Sequence, residues 1–298
     1  MDDYSSAWTY RLKWTYLLAV VGALLLPTFY IIYISFNEHG FGARIYDFTF
    51  EWYAVVLGDT MLVASLKWTI YLAGAVVLVT VPIALLAAKF YKRTRFKLAF
   101  VTLMLLPLFI PADIMASSLL VYFRQLNGIC RWLGEALGAG WLSHWFGLGF
   151  TTAVIGQVLY TVPYAFIVIL ITMSRYRAQQ TEAARSCGAS AWQAFWHVEF
   201  PQIRVGIFSA CAFVVILSFN EAPRTALLKG GFDTFSNVLV SQMLNVGMSG
   251  ESYAMAGTMS IVSMTVIGAI LIYSLSRAER QERQQRAVAE PGGAGERA

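Results

Sequence analysis

The sequence predicts an all-α protein that crosses a membrane six times. Three observations carry that expectation. Hydrophobic residues make up 58% of the 298 and charged residues 13%, with a mean hydropathy of +0.59, where a soluble domain carries roughly a quarter charged. The apolar residues gather in six runs, each close to the ~20 helical residues that a hydrocarbon core of about 30 Å demands. Lys and Arg concentrate in alternate connections between those runs, the asymmetry that the positive-inside rule describes.

The first run, residues 14–36, follows Arg11 and Lys13. It is too long for a signal-peptide core, and Asn37, Glu38 and His39 follow it instead of a small-residue cleavage site, so it reads as a retained span. An acidic connection leads to the second span, 61–88, where Pro82 is tolerable because neighbouring helices can cover the freed carbonyl. Lys67 at its outer end suits snorkelling to the interface better than lining a path. The connection 89–97 then holds five basic residues and no acid. The third span, 98–123, contains Pro107 and Pro111, which loosen a helix locally. Asp113 follows them. An intramembrane carboxylate suggests a water-filled pathway, but an Asp just after Pro111 could equally cap a restarted helix. A Gly- and Trp-rich outer connection, 124–149, suggests a helix lying on the surface. The fourth span, 150–174, is interrupted by Gly156, Gln157 and Pro163.

Span five, 203–221, ends in the polar cluster Ser218, Phe219, Asn220 and Glu221, ~25 Å from its inner end at 1.5 Å per residue. These residues, with Asp113, are candidates for the solute pathway. The next segment, with FSNVLVSQMLNVG, could dip back into the protein as a short helix. Span six covers 253–275. A basic stretch with Arg277, Arg280, Arg283 and Arg286 opens a tail, 276–298, that ends without apolar anchors and is expected to be disordered.

Of the 22 Lys and Arg, 16 fall before span one, in the second connection, around residues 174–204 and after span six. That places both termini, 1–13 and the tail, on the cytoplasmic side of a cell membrane. The charge of +5 is thus a topology signal, with no concentrated basic face of the kind nucleic acid needs. Cys130, Cys187 and Cys211 form no CxxC, and His39, His144 and His197 no ligand pair, so neither disulfides nor a metal site is expected. No catalytic constellation stands out. No GxxxxGK[ST] loop is present either, so ATP and magnesium are not expected on this chain.

The longest charged interruption between spans is TEAARSCGASAWQAFWHVEFP, residues 181–201. Thr181 could cap a short helix beginning with Glu182, the charge that a helix N-terminus favours. Gly188 ends that helix. Ser190 with Gln193 repeats the start signal as a capping box. A small exposed helical hairpin is expected.

The spacing of Glu182, Ala183, Ala184, Gly188, Val198, Phe200 and Pro201 resembles the cytoplasmic EAA loop of membrane subunits of binding-protein-dependent ABC importers, with Val198 and Phe200 standing where Ile and Leu are usual. The resemblance implies a type I permease fold over 14–275. It further implies that the loop 177–201 is gripped by a separate ATPase subunit carrying ATP and magnesium, through Glu182, Ala183, Ala184, Gly188 and Pro201. A second permease subunit and an external solute-binding protein complete the implied assembly. SFNE and the FSNVLVSQML-type segment look most like the polyamine branch, spermidine and putrescine, or related opine-like solutes. Phe219, Tyr160 and Trp68 would then be available for cation–π contact. Lys67, Arg224 and Lys229, on the same side, could instead suit an anionic or zwitterionic solute. The rival reading is a six-span secondary carrier or channel working through Asp113 and Glu221.

Overall fold

The computed structural model describes residues 7–40, 44–141, 146–174, 176 and 178–289. His144, Arg175, Arg177 and the final residues of the tail, 290–298, lie outside the described residues. Helices account for every regular element among them: α1 (Ala7–Ser35), α2 (Glu51–Gly58), α3 (Thr60–Arg93), α4 (Lys97–Leu105), α5 (Ala112–Ala136), α6 (Phe150–Ser174), α7 (Ala178–Ser186), α8 (Ala191–Ala194), α9 (Phe200–Phe219), α10 (Pro223–Leu228), α11 (Phe235–Asn245) and α12 (Gly250–Ala289). The segment that could dip back is α11. Among the described residues, five helices are long and apolar enough to cross a membrane, and six if the bent pair formed by Lys97–Phe109 and Ala112–Ala136 is one span.

That bent pair corrects the expected continuous third span. The two halves meet at 97°, and the prolines break the helix rather than loosen it. Leu106–Phe109 tightens into a 3-10 turn with Pro107 in its first positions, and Ile110 is extended (φ −90°, ψ 123°) before Pro111, the conformation that the ring of a following proline favours. The helix then restarts and runs to Ala136, well past residue 123. The last helix likewise continues to Ala289. In the sequence Glu279 precedes Arg283, and Glu282 precedes Arg286, each by four residues, a spacing that supports a helix.

Two compact units are distinguished by their internal contacts: residues up to Ala64 with Val238–Val262, and Ser65–Asn237 with the residues from Ser263 onward. In the first, the chain after α1 doubles back through an isolated antiparallel bridge between Asn37 and Phe48. Phe36 stacks there on Phe48 and Tyr53, and the Ser35 and Tyr53 hydroxyls are 2.7 Å apart.

The second unit is organised on the pairing of α6 with α9. Phe166, Ile169, Met173, Ile203, Ala210 and Val214 are fully buried. Gly206 makes the approach possible, since a Cβ there would fall 2.2 Å from Thr172 Oγ1. Small residues at such a crossing let backbones meet where lipid supplies no hydrophobic drive.

Candidate functional site

The hairpin at 178–201 is built as one projecting helix and one anchored stem. No residue of α7 is buried; Glu182 and Ala183 are exposed and Ala184 half-buried. The helix starts at Ala178, ahead of the expected cap, because Ala178, Gln179 and Gln180 are themselves good helix formers. Thr181 is therefore a helical residue, and its hydroxyl hydrogen-bonds that of Tyr176 instead of capping.

Gly188 (φ +93°) closes α7 in the left-handed region that costs glycine nothing. Gly188 N–H donates to the Arg185 carbonyl at 3.0 Å and Ala189 N–H to that of Ala184 at 3.1 Å, the paired bonds of a Schellman turn. Ser190 then forms the capping box, with Gln193 N–H donating to Ser190 Oγ at 3.2 Å and Ser190 N–H to Gln193 Oε1 at 2.9 Å. From α8 the chain widens into a π turn, Phe195–Glu199, and enters α9. The wide turn falls just before Pro201, whose ring and missing N–H disfavour an ordinary α turn over the four residues preceding it.

Two supports of the hairpin were not marked in the sequence. Glu199 is buried, and its carboxylate meets Lys89 Nζ of α3 at 2.9 Å. The same ammonium lies 4.3 Å from the Phe195 ring centroid. One helical turn along α3, Lys92 Nζ is 3.5 Å from the Tyr176 carbonyl oxygen and 5.0 Å from its ring. The available signal was Glu199 itself, a carboxylate set between the apolar Val198 and Phe200.

The second candidate cluster lies at the far end of α9, which stops at Phe219. Ser218 is buried and donates to Gln157 Oε1, while Gln157 Nε2 donates to Thr225 Oγ1 at 2.8 Å. Glu221 is also buried, but it is not a free carboxylate. Arg224 Nη1 donates to its Oε2 at 2.8 Å, and the Arg224 backbone N–H to its Oε1 at 3.0 Å.

Arg224 in turn lies 4.1 Å from the Tyr160 ring centroid, with Nε 3.4 Å from Met115 Sδ. The Tyr160 face, available for cation–π contact, and the pathway candidate Glu221 are therefore both engaged by a cation of the chain itself. Phe219 is half-buried and Asn220 exposed, its Nδ2 donating to the Ile216 carbonyl at 2.8 Å. Asp113 stands exposed in the first turn of α5, makes no side-chain cap, and has no ion pair among the described residues. Trp68 is partly exposed, 5.0 Å from Phe232. Lys67 is exposed, and Lys229 pairs with Asp233.

Similar proteins match nearly the whole chain. The osmoprotective compounds uptake permease protein GgtC of Synechocystis sp. is 25% identical over 90% of this chain and 97% of its own length. A spermidine/putrescine transport system permease protein PotC homolog of Mycoplasma genitalium is 26% identical over 92% and 94%. Among solved structures, a chain of a bacterial alginate ABC transporter in complex with alginate pentasaccharide-bound periplasmic protein superposes with a TM-score of 0.63 at 18% identity, covering 88% of this chain and 92% of that one. The family model for the binding-protein-dependent transport system inner membrane component matches residues 80–281, and the chain belongs to that family.

Proposed function

We propose that this chain is the membrane-spanning subunit of an ATP-driven importer whose motor is a separate ATPase carrying ATP and magnesium, and that α7 is the part the motor holds. The observation that supports this most directly is the hairpin. A helix with no buried residue, closed by a Schellman turn and fixed at its base by an ion pair whose carboxylate is buried, has little to stabilise it except a partner. In this reading the hairpin and both termini face the cytoplasm. A second permease subunit closes the path, and an external binding protein delivers the solute. ATP binding draws the hairpins together and tilts the spans.

For the solute we propose a small amine of the polyamine or opine-like kind. Its support is the resemblance of SFNE at the end of α9 and of the α11 segment to polyamine permeases, together with the PotC homolog. The geometry at Glu221 does not add to it. The carrier or channel reading loses a working group there, because Glu221 would have to exchange partners while buried against Arg224.

Purification of the tagged chain from its native membrane tests the assignment. A nucleotide-binding subunit should accompany it, and spermidine or putrescine with the cognate binding protein should stimulate ATP hydrolysis. Recovery with no nucleotide-binding protein would refute the importer reading. Stimulation by sulfate or betaine and not by amines would refute the solute class alone.

A further inference from the structure

We infer that Lys89 and Lys92 of α3 form a two-point clamp that ties both stems of the hairpin to one helical turn of α3, so that movement of α7 is delivered to that span. The inference deepens the importer reading and rests on it. Lys92 holds the entry stem through the Tyr176 carbonyl and ring, and Tyr176 is hydrogen-bonded to Thr181 within α7. Lys89 holds the exit stem through Glu199 and the Phe195 ring. Both partners on the exit stem belong to the π turn, a backbone form that recurs at functional sites.

The geometry separates this clamp from ordinary surface charge. The Glu199 side chain is only 10% exposed, so parting it from Lys89 strands a desolvated carboxylate, which a solvated pair would not do. Lys89 is held on two sides, by a carboxylate and by an aromatic face. Without the two lysines, the hairpin would be linked to the spans by its covalent stems and apolar packing, and it could pivot at Gly188 and the π turn without carrying α3. The basic run 89–97 thus does more than orient the chain.

The test uses the complex purified with its ATPase, with Cys130, Cys187 and Cys211 replaced by alanine. Spin labels at Phe90→Cys on α3 and Val121→Cys on α5, both exposed sites, report their separation with and without ATP and vanadate. The unaltered clamp should show a nucleotide-dependent shift in separation. Lys89→Met and Glu199→Gln should each abolish the shift with the ATPase still bound. Lys89→Arg should keep it, and the exchange Lys89→Glu with Glu199→Lys should restore it. Persistence of the shift in Lys89→Met overturns the clamp, as does an exchange variant that holds the ATPase yet fails to respond. An ATPase that binds while the separation never changes overturns the clamp alone; absence of any ATPase overturns the importer reading beneath it.

Discussion

Replacing Glu221 by alanine should destabilise the chain by about 3–5 kcal/mol, the cost of leaving a buried charge without its partner. The magnitude follows from the surroundings of Arg224. Its side chain is 4% exposed and that of Glu221 6%, so water cannot replace the lost carboxylate. The Tyr160 face at 4.1 Å offsets part of the loss, a desolvated cation–π contact contributing about 2 kcal/mol, which favours the lower end of the range. Replacing both residues, Glu221→Leu with Arg224→Met, removes the charges together and should recover most of the stability. Thermal unfolding of the purified chain in detergent reads the difference, at about 2–4 °C per kcal/mol for a large domain. The single variant should therefore melt at least ~6 °C lower and the double variant close to the parent. An unchanged melting temperature in Glu221→Ala, combined with loss of solute-stimulated ATP hydrolysis, would refute the reasoning and return Glu221 to the solute pathway.

Gly206→Ala should cost about 1–3 kcal/mol of overpacking, because all three side-chain atoms of Thr172 lie within 2.9 Å of the new Cβ and rotation cannot clear it; the added change Thr172→Gly, which also removes the Thr172 Cβ at 2.5 Å, should raise the melting temperature back towards the parent's, whereas Thr172→Ala should not. Gly188→Ala places a side chain at φ +93°, a strain of about 1–2 kcal/mol; protease should nick the hairpin faster and the ATPase should be retained less well, with insertion of the spans unaffected. Burial raises the Tyr176 hydroxyl above its ordinary value of 10.0. A raised value means that the neutral phenol is the form the fold favours, so its contribution is complete below pH 10 and is lost as pH climbs through the raised value. Phenolate absorbance, parent minus Tyr176→Phe, should show one tyrosine titrating late, and an ordinary midpoint would contradict its burial.

What could be read in the sequence was local. The glycine turn and the capping box are fixed by residues three to five positions apart, and the structure forms both. Thr181 carries a good cap signal, but the helix formers ahead of it start the helix earlier, at Ala178. The break in the third span was half visible: two prolines four apart announce disruption, but the bend depends on the extended Ile110 and on what packs on either side. Arg224 stands three residues after Glu221, a pairing distance on a helix, so that pair was legible in the sequence. The Lys89–Glu199 pair had no sequence signal linking its members, since it depends on α3 and the hairpin stem being brought together by the tertiary fold.

The two ion pairs with buried carboxylates also constrain how the second unit can move. Glu199 and Glu221 lie at opposite ends of the helical stretch that runs from the π turn through α9, and each is neutralised by one cation of the chain. A motion that separated the end of α9 from α10 would leave two desolvated charges unpaired, at a cost comparable to a large share of a domain's whole stability; one that separated the stem from α3 would strand the buried Glu199 carboxylate alone, a smaller cost because Lys89 is half-buried. Displacements of that kind are disfavoured against those that keep both pairs closed. The tight α6–α9 crossing at Gly206 adds the same restriction in the middle of the helix. On the importer reading proposed above, alternating access in such a unit would require α3, α6, α9 and α10 to move largely together, with bending concentrated where no such pair is broken: at Gly188 in the hairpin and at the Ile110–Pro111 break between α4 and α5. Hydrogen exchange in the assembled complex should accordingly respond to ATP at those two places before it responds within α6 or α9, and early exchange inside α9 would show that the pairs open during the cycle.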